Sequence, residues 1–268
     1  MISKSLLCPI CRLPLSESGG SLVCTARHTY DISSDGHINF NTKLSSSGDS
    51  KDMIRARSDF LDAGYYSAFA AEVADAVSPE GKVVIDAGCG DGYYSNAILN
   101  YAAPEMLYGF DLSKSAVSKA AKRNRNFDNS LFCVCGIFDL PLASLCADSI
   151  VSLFAPIADK EFLRLLKPGG SLIVGIAGKN HLLGLKQAVY EKVYLNDPEK
   201  ISAPDGFAEV SRKSISYEVT IEDSKLIRDL FKMTPYFWKT SKSDSEKLEK
   251  LQKLTTPLEF ELAVFIKK

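Results

Sequence analysis

Apolar positions along the chain follow three different patterns. In the first forty residues they occur only in short runs, such as "GGSLVC" (19–24), a turn leading into a short strand. Residues 41–52, "NTKLSSSGDSKD", are polar and serine-rich and read as a linker. The stretch 53–77 then places apolar residues at helical spacing. From about residue 81 two kinds of segment alternate. "KVVIDA", "MLYGFDL", "LFCVC", "SIVSLF" and "SLIVGI" are strand-like, while "YSNAILNY", "KSAVSKAAKRN" and "DKEFLRLL" are helix-like. This alternation predicts an α/β domain with a doubly wound, mainly parallel, Rossmann-like sheet. The expected organisation is a small module over 1–40, a linker and helix over 41–80, and a large domain over 81–268.

Composition adds limits. The chain has 268 residues, 46% hydrophobic and 24% charged, the balance of an ordinary globular protein. Its longest apolar runs, such as "SLIVGIAG" (171–178), are too short to span a bilayer. The opening "MISKSLLCPICRLP" is broken by Cys, Pro and Arg where a signal peptide needs a clean apolar core. A cytoplasmic location is expected, where thiols stay reduced and spaced cysteines are more often metal ligands than disulfides. A net charge of −1 means that any RNA surface has to be a local patch.

The candidate chemistry begins at Cys8, Cys11, Cys24 and His28. Zinc prefers four N/S ligands in a tetrahedron, and a C-x2-C turn supplies two of them. Cys24 and His28 form the second pair. A forty-residue segment has little core of its own, and metal is the usual substitute. All four positions are filled by protein, so the zinc is expected to be structural. Cys89, Cys133, Cys135 and Cys146 read as small buried apolar residues, and His37 as a surface or satisfied histidine.

"VVIDAGCGDGYY" (83–94) is a strand ending in Asp86, a turn with Gly88, Gly90 and Gly92, and a helix start. This D-x-G-x-G-x-G form is typical of S-adenosylmethionine sites. Glycines let a cofactor lie against bare backbone, the helix N-terminus welcomes a carboxylate, and Asp86 can meet the methionine ammonium. The next strand ends in Asp111, placed to accept ribose hydroxyls, with Leu112 flanking the adenine. The fold expected is therefore that of a class I methyltransferase.

Over nearly its whole length the chain resembles the bacterial zinc-containing 23S rRNA guanine-N1 methyltransferases, the large-subunit methyltransferase A type. The resemblance is carried by "CPIC", "CTARHTYDISSDGHINF", "GDSKDMIRARSDFLDAGYY", "VIDAGCGDGYYS", "GFDLSKSAVSKAAKR", "LFAP", "LLKPGGSLIV", "HLLGLKQAVY" and "MTPYFW". It implies zinc on Cys8, Cys11, Cys24 and His28, a metal lobe that grips RNA but matters little for the cofactor, and a homodimer. It also implies cofactor roles for Tyr66, Gly90, Asp91 and His181. Tyr66 could face a sulfonium cation, and His181 follows a strand that opens on the same crevice. The implied reaction moves a methyl group from S-adenosylmethionine to N1 of a guanine in a hairpin loop of 23S rRNA.

Two departures matter. Many related methyltransferases hold the adenine amino group with an acid at the position of Gly136. Here backbone near Ile137 and the side chain of Phe138 have to serve. Enzymes acting on exocyclic amines often carry an Asn/Asp-Pro-Pro-aromatic motif, where this chain has "LFAPIA". Phe154 and Pro156 are then expected to stack on or frame the base. Asp159, beyond them, reads as a helix cap or a proton acceptor. RNA-facing charge is expected around the zinc lobe and linker (Lys4, Arg12, Arg27, Lys43, Lys51, Arg55, Arg57). Lys114, Lys119, Lys122, Arg123 and Arg125 form a solvated outer helix face. Trp238 reads as core. Other functions compatible with the sequence are a small-metabolite methyltransferase and an inert zinc-dependent RNA-binding protein.

Overall fold

The computed structural model describes residues 5–41, 50–77, 83–198 and 201–268. Part of the expected linker (42–49), the stretch 78–82, Lys4 and Lys43 lie outside them. A large sheet runs in the order β10-β11-β9-β8-β5-β6-β7-β4. Its centre is parallel: β5 (Val83–Ala87), β6 (Met106–Asp111), β7 (Ser130–Val134), β8 (Ala147–Leu153) and β9 (Leu166–Ala177). These strands are buried on both faces, so successive residues feed opposite cores. Val84, Leu107 and Ile173 point into one, Ile85, Tyr108 and Leu172 into the other. From β5 the chain steps outward through β6 and β7, then returns to the other side of β5 as β8. That reversal opens a crevice at the strand ends.

One face is covered by helices: α1 (Lys51–Asp62), α2 (Ser67–Ala76), α3 (Tyr93–Tyr101), α4 (Lys114–Arg123), α6 (Leu183–Val189) and α7 (Ser224–Lys232). Ser50 starts α1 by accepting from Met53 N at 3.2 Å. Among the described residues, the helical cover of the opposite face is the short α5 (Asp159–Leu165). The rest of its cover comes from the N-terminal segment and from loop residues such as Ile137, Leu140, Leu142 and Ile201. Leu6, Leu22, Tyr30, Ile38 and Phe40 share a core with Ile85, Tyr108, Phe110, Leu131 and Phe162.

Residues 5–40 thus share a core with the large sheet. β1 (Leu15–Ser18), β2 (Ser21–Cys24) and β3 (Thr29–Asp31) form a small antiparallel sheet. Gly19 and Gly20, at φ +60° and +80°, make its two-residue hairpin turn. β4 (Ile38–Asn39) then joins the large sheet beside β7. The lobe packs on the apolar sheet face that the short α5 leaves open.

The sequence alone did not signal the sheet's antiparallel end. β10 (Phe207–Ile221) and β11 (Leu254–Lys267) pair along nearly their full length, and β11 also pairs with β9. Between them stand α7, a 3-10 turn at Phe237–Lys239 and α8 (Lys242–Glu249). β10 forms the outer edge, and its mostly exposed, charged positions protect it from pairing with other chains.

Candidate cofactor crevice and metal centre

The crevice starts where β5 ends. Asp86 is 1% exposed and accepts Ser95 Oγ at 2.5 Å. Burial pushes its carboxyl up to about 7, the Ser95 bond works against this, and the nearby Asp111 charge adds to it. No cationic side chain among the described residues pairs with it. An ammonium group would supply the missing charge. Gly88, Gly90 and Gly92 all have positive φ. A Cβ on Gly88 would stand 2.8 Å from that of Ala155, and one on Gly92 would meet Ala120 at 2.8 Å. At Gly90 the space is open, which leaves the backbone free for a ligand.

Asp111, at the end of β6, accepts Gly90 N at 3.1 Å and Ser113 N at 2.8 Å. It ties the glycine loop to the start of α4. Beyond it, Leu112 and Phe138 are 43% and 66% exposed, while Ile137 is buried. The two strand ends meet through Cys135 N and Asp111 O at 3.0 Å. Two large apolar side chains left open beside a buried isoleucine suit a flat heterocycle.

Asp91 is employed differently. Its buried carboxylate accepts from Ser58 on α1 and pairs with Arg123 Nη2 at 2.8 Å on α4. Through its side chain Asp91 fastens two helices to the glycine loop. Arg123 also pairs with Asp62, so it does not belong to a solvated outer face. Burial acts to lower its pKa, but the Asp62 and Asp91 contacts outweigh this and raise it.

Tyr66 and His181, singled out only by resemblance, stand together. Tyr66 Oη lies 3.0 Å from His181 Nε2, and Glu259 N donates to His181 Nδ1 at 3.1 Å. Burial holds the imidazole down to about 4, and the Lys186 charge assists it. The ring is therefore neutral. With Nδ1 accepting, its proton sits on Nε2 and is donated to Tyr66. Both rings pack on Phe260, with centroids 4.9 and 4.7 Å away. Phe69 stacks on Phe260 at 4.2 Å.

Phe154 caps this aromatic wall. It follows β8, has φ +54° and is 48% exposed. Its ring lies 5.8 Å from Phe69 and 6.2 Å from Phe260, and its N–H donates to Gly175 O at 2.8 Å. A left-handed phenylalanine costs of order 1–3 kcal/mol and persists only where its surroundings hold it. Pro156 is exposed, and its carbonyl accepts Ser152 Oγ at 3.3 Å. Asp159 opens α5 but makes no capping bond, since Ala158 is the N-cap.

The metal-ligand set converges as expected. The ligand atoms of Cys8, Cys11, Cys24 and His28 lie within 4.8 Å of one another. Cys8 Sγ is 3.5 Å from His28 Nδ1, Cys24 Sγ is 3.4 Å from it, and Cys11 Sγ is 3.6 Å from Cys24 Sγ. A tetrahedron with bonds of about 2.3 Å has edges near these lengths. Burial acts to raise the Cys8 thiol. Bonds from the Tyr30 hydroxyl (3.2 Å) and nearby backbone amides outweigh it and bring the thiol down to about 6, suited to a thiolate ligand.

A cleft of about 460 Å³ opens beside this centre, lined by Ile10, His28, Tyr30, His37, Asn39 and Lys114 among others. His37 is buried and bonded to Ser33 Oγ at 2.7 Å. Cys89, Cys133 and Cys146 are buried thiols, as read from sequence, whereas Cys135 is only partly buried. Trp238 is not core: it is 65% exposed and donates to Met53 Sδ at 3.0 Å. Ser58, Ser95, Phe69, Glu259 and Phe260 carried no signal in sequence. Each acts through a partner on a distant element.

Comparison with known proteins adds three relatives. The family model described as "RlmA, N-terminal", a zinc ribbon, matches residues 6–41, and that described as "Methyltransferase domain" matches 78–232. A candidate 23S rRNA (guanine-N(1)-)-methyltransferase of Bacillus subtilis (strain 168) is 29% identical over 97% of this chain and 96% of that one. One of Micromonospora griseorubida is 34% identical, covering 67% and 68%. The 23S rRNA (guanine(748)-N(1))-methyltransferase of Streptomyces fradiae is 32% identical, covering 70% and 69%.

Proposed function

The chain belongs to the zinc-ribbon 23S rRNA (guanine-N1)-methyltransferases, and from that premise we propose the chemistry of its crevice. The enzyme uses S-adenosylmethionine, and the ribbon holds zinc. The acceptor is N1 of a guanine in a hairpin loop of 23S rRNA. Support comes above all from one juxtaposition: a buried carboxylate without a cation at one end of a crevice, and a half-exposed aromatic on a strained backbone at the other.

S-adenosylmethionine supplies a methyl group on a positively charged sulfur. Asp86 would hold its ammonium, Asp111 its ribose hydroxyls, and Leu112, Ile137 and Phe138 its adenine. Gly90 lets it lie on the backbone, and Tyr66, fixed by His181, flanks it. Phe154 and Pro156 would frame the guanine once it leaves its stack. Most of the acceleration is then positioning, with the acceptor nitrogen held about 3–3.5 Å from the methyl carbon. The N1 proton does not go to His181. One ring nitrogen of His181 already carries a proton, and the other accepts from Glu259 N.

We assign residues 1–40 to zinc and RNA contact, 41–80 to the connection, and 81–268 to transfer. The resemblance implies a cytoplasmic homodimer; no helix among the described residues is long and apolar enough to cross a membrane.

The test is mass spectrometry of 23S rRNA from a strain lacking the gene, complemented with wild type or Asp86→Asn. One N1-methylguanosine should vanish and return only with wild type. Unchanged rRNA, or methylation confined to small metabolites, overturns the reading.

A further inference from the structure

The metal knuckle and the proposed adenine wall are parts of one loop system. Arg12, directly after the ligand Cys11, has φ +59°. Its guanidinium crosses to the segment that follows Phe138, where Nη1 donates to Leu140 O at 2.9 Å and Nη2 pairs with Asp139. Beside it Leu7 N donates to Pro141 O and Ala143 N to Ser5 O, both at 2.8 Å. The far side of this loop is clamped by α5, through Leu140 N to Glu161 Oε1 at 2.7 Å and Arg164 Nη2 to Leu140 O at 3.1 Å. Leu140 O thus accepts from both Arg12 and Arg164.

We infer that Arg12 is a positioning residue for the cofactor, coupling zinc in the knuckle to the loop that closes the adenine side. The left-handed backbone at Arg12 is costly for an L side chain and needs to be held by what surrounds it. The turn at 8–12 is closed by backbone bonds (Arg12 N to Cys8 O, Cys8 N to Leu13 O, both 2.8 Å) and by the metal ligands that flank it. Only when that turn is set does the guanidinium fork meet a carboxylate and a carbonyl together. The metal then favours the same loop conformation that the adenine needs, and each site strengthens the other by one shared factor. This rests on the adenine lying at Leu112, Ile137 and Phe138.

The experiment uses the full-length, zinc-loaded protein. S-adenosylhomocysteine affinity is measured by calorimetry, and zinc affinity by equilibrium competition with a chelator, with and without saturating S-adenosylhomocysteine. In wild type the nucleoside should tighten zinc by about fivefold or more, a usual size for coupled sites. Arg12→Ala should keep its zinc, bind S-adenosylhomocysteine more weakly, and lose most of that tightening. Arg12→Lys, which keeps charge without the fork, should recover part of it. Leu112→Ala should weaken nucleoside binding while leaving zinc affinity in the free protein unchanged. If Leu112→Ala weakens binding and Arg12→Ala leaves both affinities and their coupling intact, the inference is overturned. If neither substitution weakens binding, the adenine placement fails and the inference falls with it.

Discussion

His181 donates a hydrogen bond of 3.0 Å to the hydroxyl of Tyr66, across 115 residues of sequence. The direction follows from the other ring nitrogen, which accepts Glu259 N and so cannot carry the proton. The Tyr66 oxygen is thereby an acceptor from the protein, and its own proton is free to turn to a third group. Both residues pack on Phe260 beneath the proposed acceptor site.

Tyr66→Phe keeps the ring but leaves His181 Nε2–H buried without an acceptor. Stability should fall by about 1–3 kcal/mol, at roughly 2–4 °C of Tm per kcal/mol for a chain of this size. Cofactor affinity should fall with it. A calorimetric melt identical to wild type would show that the bond contributes nothing.

Asp86 makes cofactor binding pH-dependent. Its folded-state value, about 7, lies above the ordinary aspartate value of 3.8. The native chain therefore holds a proton that the unfolded chain releases, so stability declines as pH rises from about 4 to 7 and then levels. An ammonium partner needs the carboxylate, so affinity moves the opposite way. It should be roughly fivefold weaker at pH 6 than at pH 7. At pH 6 binding should release close to one proton, visible as buffer-dependent heat. Asp86→Asn should remove both effects; proton-neutral binding by wild type would place the ammonium elsewhere.

Phe154→Ala should lower methyl transfer to rRNA by roughly ten- to a hundredfold, the worth of one base–aromatic stack. S-adenosylmethionine affinity should stay within about twofold, because Phe154 stands on the acceptor side. Phe154→Trp should retain most activity. Equal losses for the alanine and tryptophan variants would point to backbone conformation rather than stacking.

Cys24→Ser should lose zinc by elemental analysis and destabilise the whole chain, since the lobe is the cover for Ile85, Tyr108 and Phe110. A single calorimetric transition lowered by roughly 10 °C or more is expected. Two transitions, the upper one unchanged, would show a lobe that folds independently.

Sequence by itself determined the features that neighbouring residues can specify. Cys8 with Cys11 and Cys24 with His28 are each pairs within one tight turn, and a tetrahedral metal needs little beyond that. The acid–glycine loop at 86–92 is equally local, because positive φ and close backbone approach are properties of single positions. The parallel sheet followed from alternating segments that are apolar on both faces. Tertiary structure decided how charges and surfaces were spent. Asp91 and Asp111 look alike as acids near a strand end. Yet Asp91 is consumed by Ser58 and Arg123, while Asp111 accepts the backbone amides of Gly90 and Ser113. A short stretch of cysteines and glycines gave no sign that it would roof the sheet. That depended on how much apolar surface the short α5 left uncovered. Trp238 stands in solvent, while its neighbour Phe237 packs against Phe231 of α7. In each case the outcome turned on burial and on partners far away in sequence, and these exist only once the chain has packed.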